Sequence, residues 1–151
     1  MSADDDARLL AEALVEQRAC YEELLGLAEG QREILLADDP DPLLELARKK
    51  QGVMDRLDGI GRRMAPARDR WPSTREGAAA ALRAEVDGRA DEVTEVLTRL
   101  LALEEEAARM AGALRDETLG RLKRQVETQK LRDAYRPKDA GGPQVFDSKE
   151  S

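Results

Sequence analysis

The sequence predicts an all-α protein: an antiparallel bundle of three helices, the last of them long, followed by a flexible tail. Three observations predict it. Apolar residues recur at alternating spacings of three and four along three separate runs, the period of helices that each bury one face. No stretch shows sustained period-two alternation bounded by turns, and β-branched residues are sparse, so strands are not expected. Aromatics make up 3% of the 151 residues and charged residues 38%, which suits thin helices meeting along narrow seams better than a deep globular interior. The length is that of one domain, read as a helical domain over 1–132 and a flexible tail over 133–151.

The first run opens with Asp4, Asp5 and Asp6, where a helix N-terminus favours negative charge. Leu10, Leu14, Gln17, Tyr21, Leu24, Ala28, Gln31 and Leu35 then form one face of a helix ending near Ala37, the two glutamines marking weak points in its seam. The segment Asp38-Asp39-Pro40-Asp41-Pro42 stops it, because each proline pushes the preceding residue out of the helical region. Asp41 reads as the next N-cap with Pro42 at the first helical position. So short a connection makes the two helices antiparallel neighbours.

The second run carries Leu43, Leu46, Lys50, Val53, Leu57, Ile60 and Met64, with Ala47 and Met54 widening the stripe. Lys50 lies inside the seam and is expected to snorkel, packing its stem and keeping its charge in water. Pro66 and Pro72 bracket the expected end of this helix, leaving 66–74 as a loop in which Trp71 folds back over the bundle end. Ser73 and Glu76 then read as the capping box of a fresh start.

From Ser73 to Arg132 there is no proline, and the stripe continues through Ala79, Leu82, Val86, Ala90, Val93, Leu97, Leu100, Leu103, Ala107, Met110, Leu114, Leu122 and Val126. One helix of this length would be about 90 Å long, twice either upstream partner. Part of its apolar stripe would overhang the body, and exposed apolar stripes usually meet a partner. The alternative is that this half bends at Gly112 and packs on its own bundle. Beyond Arg132 the polar stretch with Pro137, Gly141, Gly142 and Pro143 reads as a disordered tail, and Val145-Phe146 within it as a short docking motif.

Net charge is −7 but unevenly spread. Met1 to Glu45 holds thirteen acids and three bases, or −10; Arg115 to Lys138 holds eight bases and four acids, or +4. The acidic part excludes wholesale nucleic-acid binding, which needs a basic face. The two stretches could pair, the basic one folding back on the first helix. With no histidine, the commonest general base and metal ligand are missing. Glu104, Glu105 and Glu106 are consecutive and point around a helix, so they cannot converge on a metal. Gly59-Ile60-Gly61 follows no strand and is no phosphate loop. Cys20 is alone and reads as a small half-buried apolar residue. Neither a signal peptide nor an apolar run long enough to span a bilayer is present in these residues. The expectation is a cytoplasmic, non-enzymatic protein with no cofactor, no metal, no nucleic-acid partner and no membrane insertion.

The run Tyr21-Glu22-Glu23-Leu24-Leu25-Gly26-Leu27-Ala28-Glu29-Gly30-Gln31-Arg32-Glu33-Ile34-Leu35-Leu36, the Asp-Asp-Pro-Asp-Pro break, and then Leu43, Leu46, Lys49-Lys50, Leu57 and Arg62-Arg63 are similar to the FlgN-like flagellar export chaperones. The resemblance covers Leu10 to Arg63. It implies a cytoplasmic chaperone of type III export that keeps the terminal helices of hook-associated, filament-junction proteins soluble and presents them to the export gate. It also implies that the C-terminal helical region grips the client, which matches the overhang. The expected client-binding residues are Leu103, Met110, Leu114, Leu122 and Val126, with Tyr135 just beyond them and Phe146 in the tail. The rival is a structural coiled-coil scaffold or adaptor that self-associates through the same stripe.

Overall fold

A computed structural model describes residues 2–37, 39–111 and 116–134. Among these described residues five α-helices follow in chain order: α1 (Ala3–Glu29), α2 (Gln31–Leu36), α3 (Pro40–Thr74), α4 (Ala80–Ala111) and α5 (Asp116–Ala134), with a 3-10 turn at Arg75–Gly77 between α3 and α4. The short α2 prolongs α1 beyond an interruption at Gly30, so the bundle has four limbs, and no strand occurs among the described residues. The all-α expectation holds; the single long third helix does not.

Ser2 caps α1: its hydroxyl accepts from the Asp5 N–H at 3.0 Å, and the Asp5 carboxylate accepts in return from the Ser2 N–H. The expected stripe is the buried one, with Leu10, Leu14, Gln17, Tyr21, Leu24, Ala28 and Gln31 all inside. α1 is the central element and packs along both α3 and α4. Cross-links fix the two registers. Asp6 meets Arg70, Glu16 meets Arg63 and Glu23 meets Arg56, so numbers fall along α3 as they rise along α1 and the pair is antiparallel. Asp4 accepts from the Ala79 N–H, Arg18 meets Glu92 and Arg32 meets Glu106, so α4 runs parallel to α1 with a nearly constant offset.

Four local expectations are corrected. The N-cap of α3 is Asp39, whose carboxylate accepts from the Asp41 N–H at 3.1 Å, and Pro40 starts the helix two residues earlier than expected. α3 continues through Pro66 and Pro72 to Thr74. Both prolines are exposed, so the carbonyls they leave without a donor lie on the face turned to water, while buried Met64, Ala67 and Trp71 hold the opposite face on the core. Trp71 is therefore a buried helical residue, with the Arg75 guanidinium 5.7 Å from its ring centroid. Ser73 forms no capping box; its hydroxyl donates to the Arg70 carbonyl, and α4 starts only at Ala80. Ala47 and Ala79 are exposed and do not belong to the stripes, whereas Met54 does.

The fourth limb is the largest departure. Lys123 of α5 reaches Glu105 of α4 at 3.9 Å. In one continuous helix those residues would stand about 27 Å apart, so the chain reverses between Ala111 and Asp116 and α5 returns along α4. The physical reason is burial: a straight helix would leave Leu122 and Val126 in water, and the return places both in the core. Bending in this half was the alternative reading; Gly112, where it was expected, lies outside the described residues.

Candidate functional site

The last helix packs along α4, its apolar face seated in a groove against the core cluster, and it reaches α3 through an ion pair. Leu122, Val126 and Gln129 sit at i, i+4 and i+7, one face of α5, and are respectively 0%, 8% and 1% exposed. Arg121 and Lys123 flank that face, since 100° per residue puts them on either side of Leu122. Arg121 pairs with Asp58 on α3 and Lys123 with Glu105 on α4. α5 is thus a strap with an apolar inner face and a basic residue on each edge, each edge meeting an acid on a different helix.

A buried polar cluster joins α2, α3 and α4. Lys50 of α3 and Glu104 of α4 form an ion pair with side chains 5% and 1% exposed. The Lys50 ammonium also donates to Gln31 Oε1 at 2.7 Å. Lys50 does not snorkel: the seam closes over its ammonium because a carboxylate and an amide oxygen replace water there, and without them the burial would be prohibitive. Glu104 was expected only as a failed metal ligand, yet it continues the stripe Val93, Leu97, Leu100 at the same alternating spacing. Two opposite charges at seam positions of separate helices were the signal that could have paired them. Gln129 continues the stripe of Leu122 and Val126 in the same way, and its Oε1 is buried with no hydrogen-bond partner among the described residues.

The expected site residues divide. Leu103 is half-buried against the core, Met110 is 39% exposed near the end of α4, and Leu122 and Val126 are core residues of α5. Leu114, Tyr135 and Phe146 lie outside the described residues, as does the tail beyond Ala134. Within the basic stretch, the described residues Arg121 and Lys123 pair with Asp58 and Glu105 on α3 and α4, not with the first helix. Raising salt is expected to speed amide exchange in α5 only slightly, because the exposed Lys123–Glu105 pair contributes at most about 1 kcal/mol, the partly buried Arg121–Asp58 pair is less screened, and the buried face carries the attachment. Strong salt acceleration would show that charge holds the strap.

Elsewhere polar groups serve the fold. Arg70 donates to both oxygens of buried Asp6 at 2.7 and 3.1 Å, and that hydrogen bonding raises the guanidinium pKa. Arg83 donates to the Ala78 carbonyl at 2.6 Å and helps close the α3–α4 turn. Cys20 is buried rather than half-buried, and desolvation pushes its thiol pKa up. Among the described residues no group of acids and cysteine could hold a metal ion, and no helix is long and apolar enough to cross a membrane.

Residues 6–130 match the model of the family described as FlgN protein. The chain belongs to the FlgN family. The match reaches well beyond the Leu10–Arg63 resemblance, taking in α4 and most of α5. No curated protein and no solved structure matches the chain. FlgN-family membership carries a general role, that of a non-enzymatic chaperone in flagellum biogenesis.

Proposed function

We propose that this FlgN-family chain is a cytoplasmic chaperone of flagellar type III export that keeps hook-associated proteins soluble by holding an amphipathic terminal helix, and hands them to the export gate. The client helix takes the groove that α5 fills. The observation that supports this reading is the seat of α5: an amphipathic helix laid apolar face down along α4 against the core cluster and tied to α3 by an ion pair, with Leu122 and Val126 as its anchors. That is helix-in-groove recognition carried out within one chain. Leu103 and Met110 on α4, together with Leu114, Tyr135 and Phe146, which lie outside the described residues, belong to the contact region in this reading. Leu122 and Val126 hold the place that the client's own anchors occupy.

The test is hydrogen exchange of the full chain with and without the terminal helix of a hook-associated protein. Protection is expected to fall in α5 and to persist in α1 and α3. In a parallel pull-down, Met110→Asp with Leu114→Asp should abolish capture and leave the melting temperature nearly unchanged, since Met110 is exposed. A client that binds while α5 stays protected, or a double variant that captures it at full affinity, removes this assignment.

A further inference from the structure

Under the proposed reading the groove has an occupant of its own, and the composition of that occupant states what the groove prefers. α5 presents Leu122, Val126 and Gln129 inward, with Arg121 and Lys123 on the two edges meeting Asp58 and Glu105. The two edge contacts and the first two anchors are complementary. The third is not. Gln129 is fully enclosed, and its Oε1 makes no hydrogen bond among the described residues; a buried acceptor left unmade carries its whole desolvation penalty. An aliphatic side chain at that place would remove the penalty and add apolar burial.

We infer that the groove selects a basic-edged amphipathic helix, with aliphatic side chains at i, i+4 and i+7 and basic side chains at i−1 and i+1. α5 imitates such a helix except for an amide at its third anchor. This inference rests on the proposed client reading and adds to it the class of helix that wins. The defect at Gln129 matters because α5 is tethered. A segment linked in cis acts at an effective concentration on the order of millimolar, so a client at cellular concentration displaces it only by binding intrinsically tighter. An occupant with three matched anchors would leave no such opening. Acids on both sides of the groove, Asp58 and Glu105, set the charge of the winner: a client with acidic flanks would place like charges against them.

The experiment uses the full chain carrying Leu122→Asp, which unseats the resident helix, and fluorescent peptides of the α5 sequence. Three peptides are compared by anisotropy: the natural sequence, Gln129→Leu, and the charge-reversed pair Arg121→Glu with Lys123→Glu. The Gln129→Leu peptide is expected to bind about tenfold tighter than the natural one, and the charge-reversed peptide more weakly than either at low salt. Equal binding of all three, or no binding while the chain keeps its helix content, overturns the inference. Should Leu122→Asp unfold the chain, the intact protein carrying Gln129→Leu provides the second measurement. Its α5 amides should gain about tenfold protection and its capture of a client helix should weaken; unchanged or lowered protection overturns the inference equally. Peptides that rank as stated while no hook-associated helix is captured leave the groove preference standing and remove the chaperone reading. Capture of that helix with unranked peptides does the reverse.

Discussion

Replacing Glu104 with Leu is expected to destabilise the chain by about 3 to 5 kcal/mol, the range for removing one partner of a buried ion pair. The loss comes from what remains. Lys50, 4% exposed where side chains of α2, α3 and α4 meet, would keep its ammonium in a buried setting without the carboxylate that stabilises it. Adding Lys50→Met to Glu104→Leu should recover most or all of the loss, because a well-packed apolar pair does about as well as a buried ionic one. Urea denaturation of the two variants tests this. A single variant that loses less than about 1 kcal/mol would show that Lys50 reaches water after all.

Leu57→Ala is expected to cost about 2 to 5 kcal/mol, as truncation of a fully enclosed leucine does. Leu57 is buried in the middle of α3, in the core cluster that α1 shares with α3 and α4, so neighbours on several helices would have to close the void. Leu44→Ala is the control. Leu44 belongs to the same helix but is exposed, and its truncation should change stability by no more than about 0.5 kcal/mol. Thermal or chemical denaturation of the pair measures the difference. Similar losses at both positions would mean that the effect lies in helix propensity and not in the seam.

The buried cluster and the strap are linked in one respect. Lys123 holds Glu105, the neighbour of Glu104, and Arg121 holds Asp58 on the helix that carries Lys50.

Periodicity alone determined the helices and their buried faces. Leu10 to Gln31, Leu46 to Met64 and Val86 to Leu100 could be placed because a 3.6-residue repeat allows only one face to meet a core, and the family resemblance between Leu10 and Arg63 could be read from the same stretch. The polar seam residues were visible as exceptions to that repeat, but not their partners. The opposite signs of Lys50 and Glu104 hinted at a pair, but that they meet depends on α1 holding α3 and α4 on its two sides, across more than fifty intervening residues. Helix ends were misplaced wherever packing outweighed local preference. Pro66 and Pro72 remain helical because Met64, Ala67 and Trp71 are held on the core, and the expected capping box at Ser73 went unused for the same reason. Above all, the stripe from Ala79 to Val126 fits a straight overhanging helix and a folded-back pair equally well, since both keep the same residues on one face. Only the tertiary structure decided between them, because folding back places Leu122 and Val126 out of water against the chain's own core, a gain that exists only once the other three limbs have assembled.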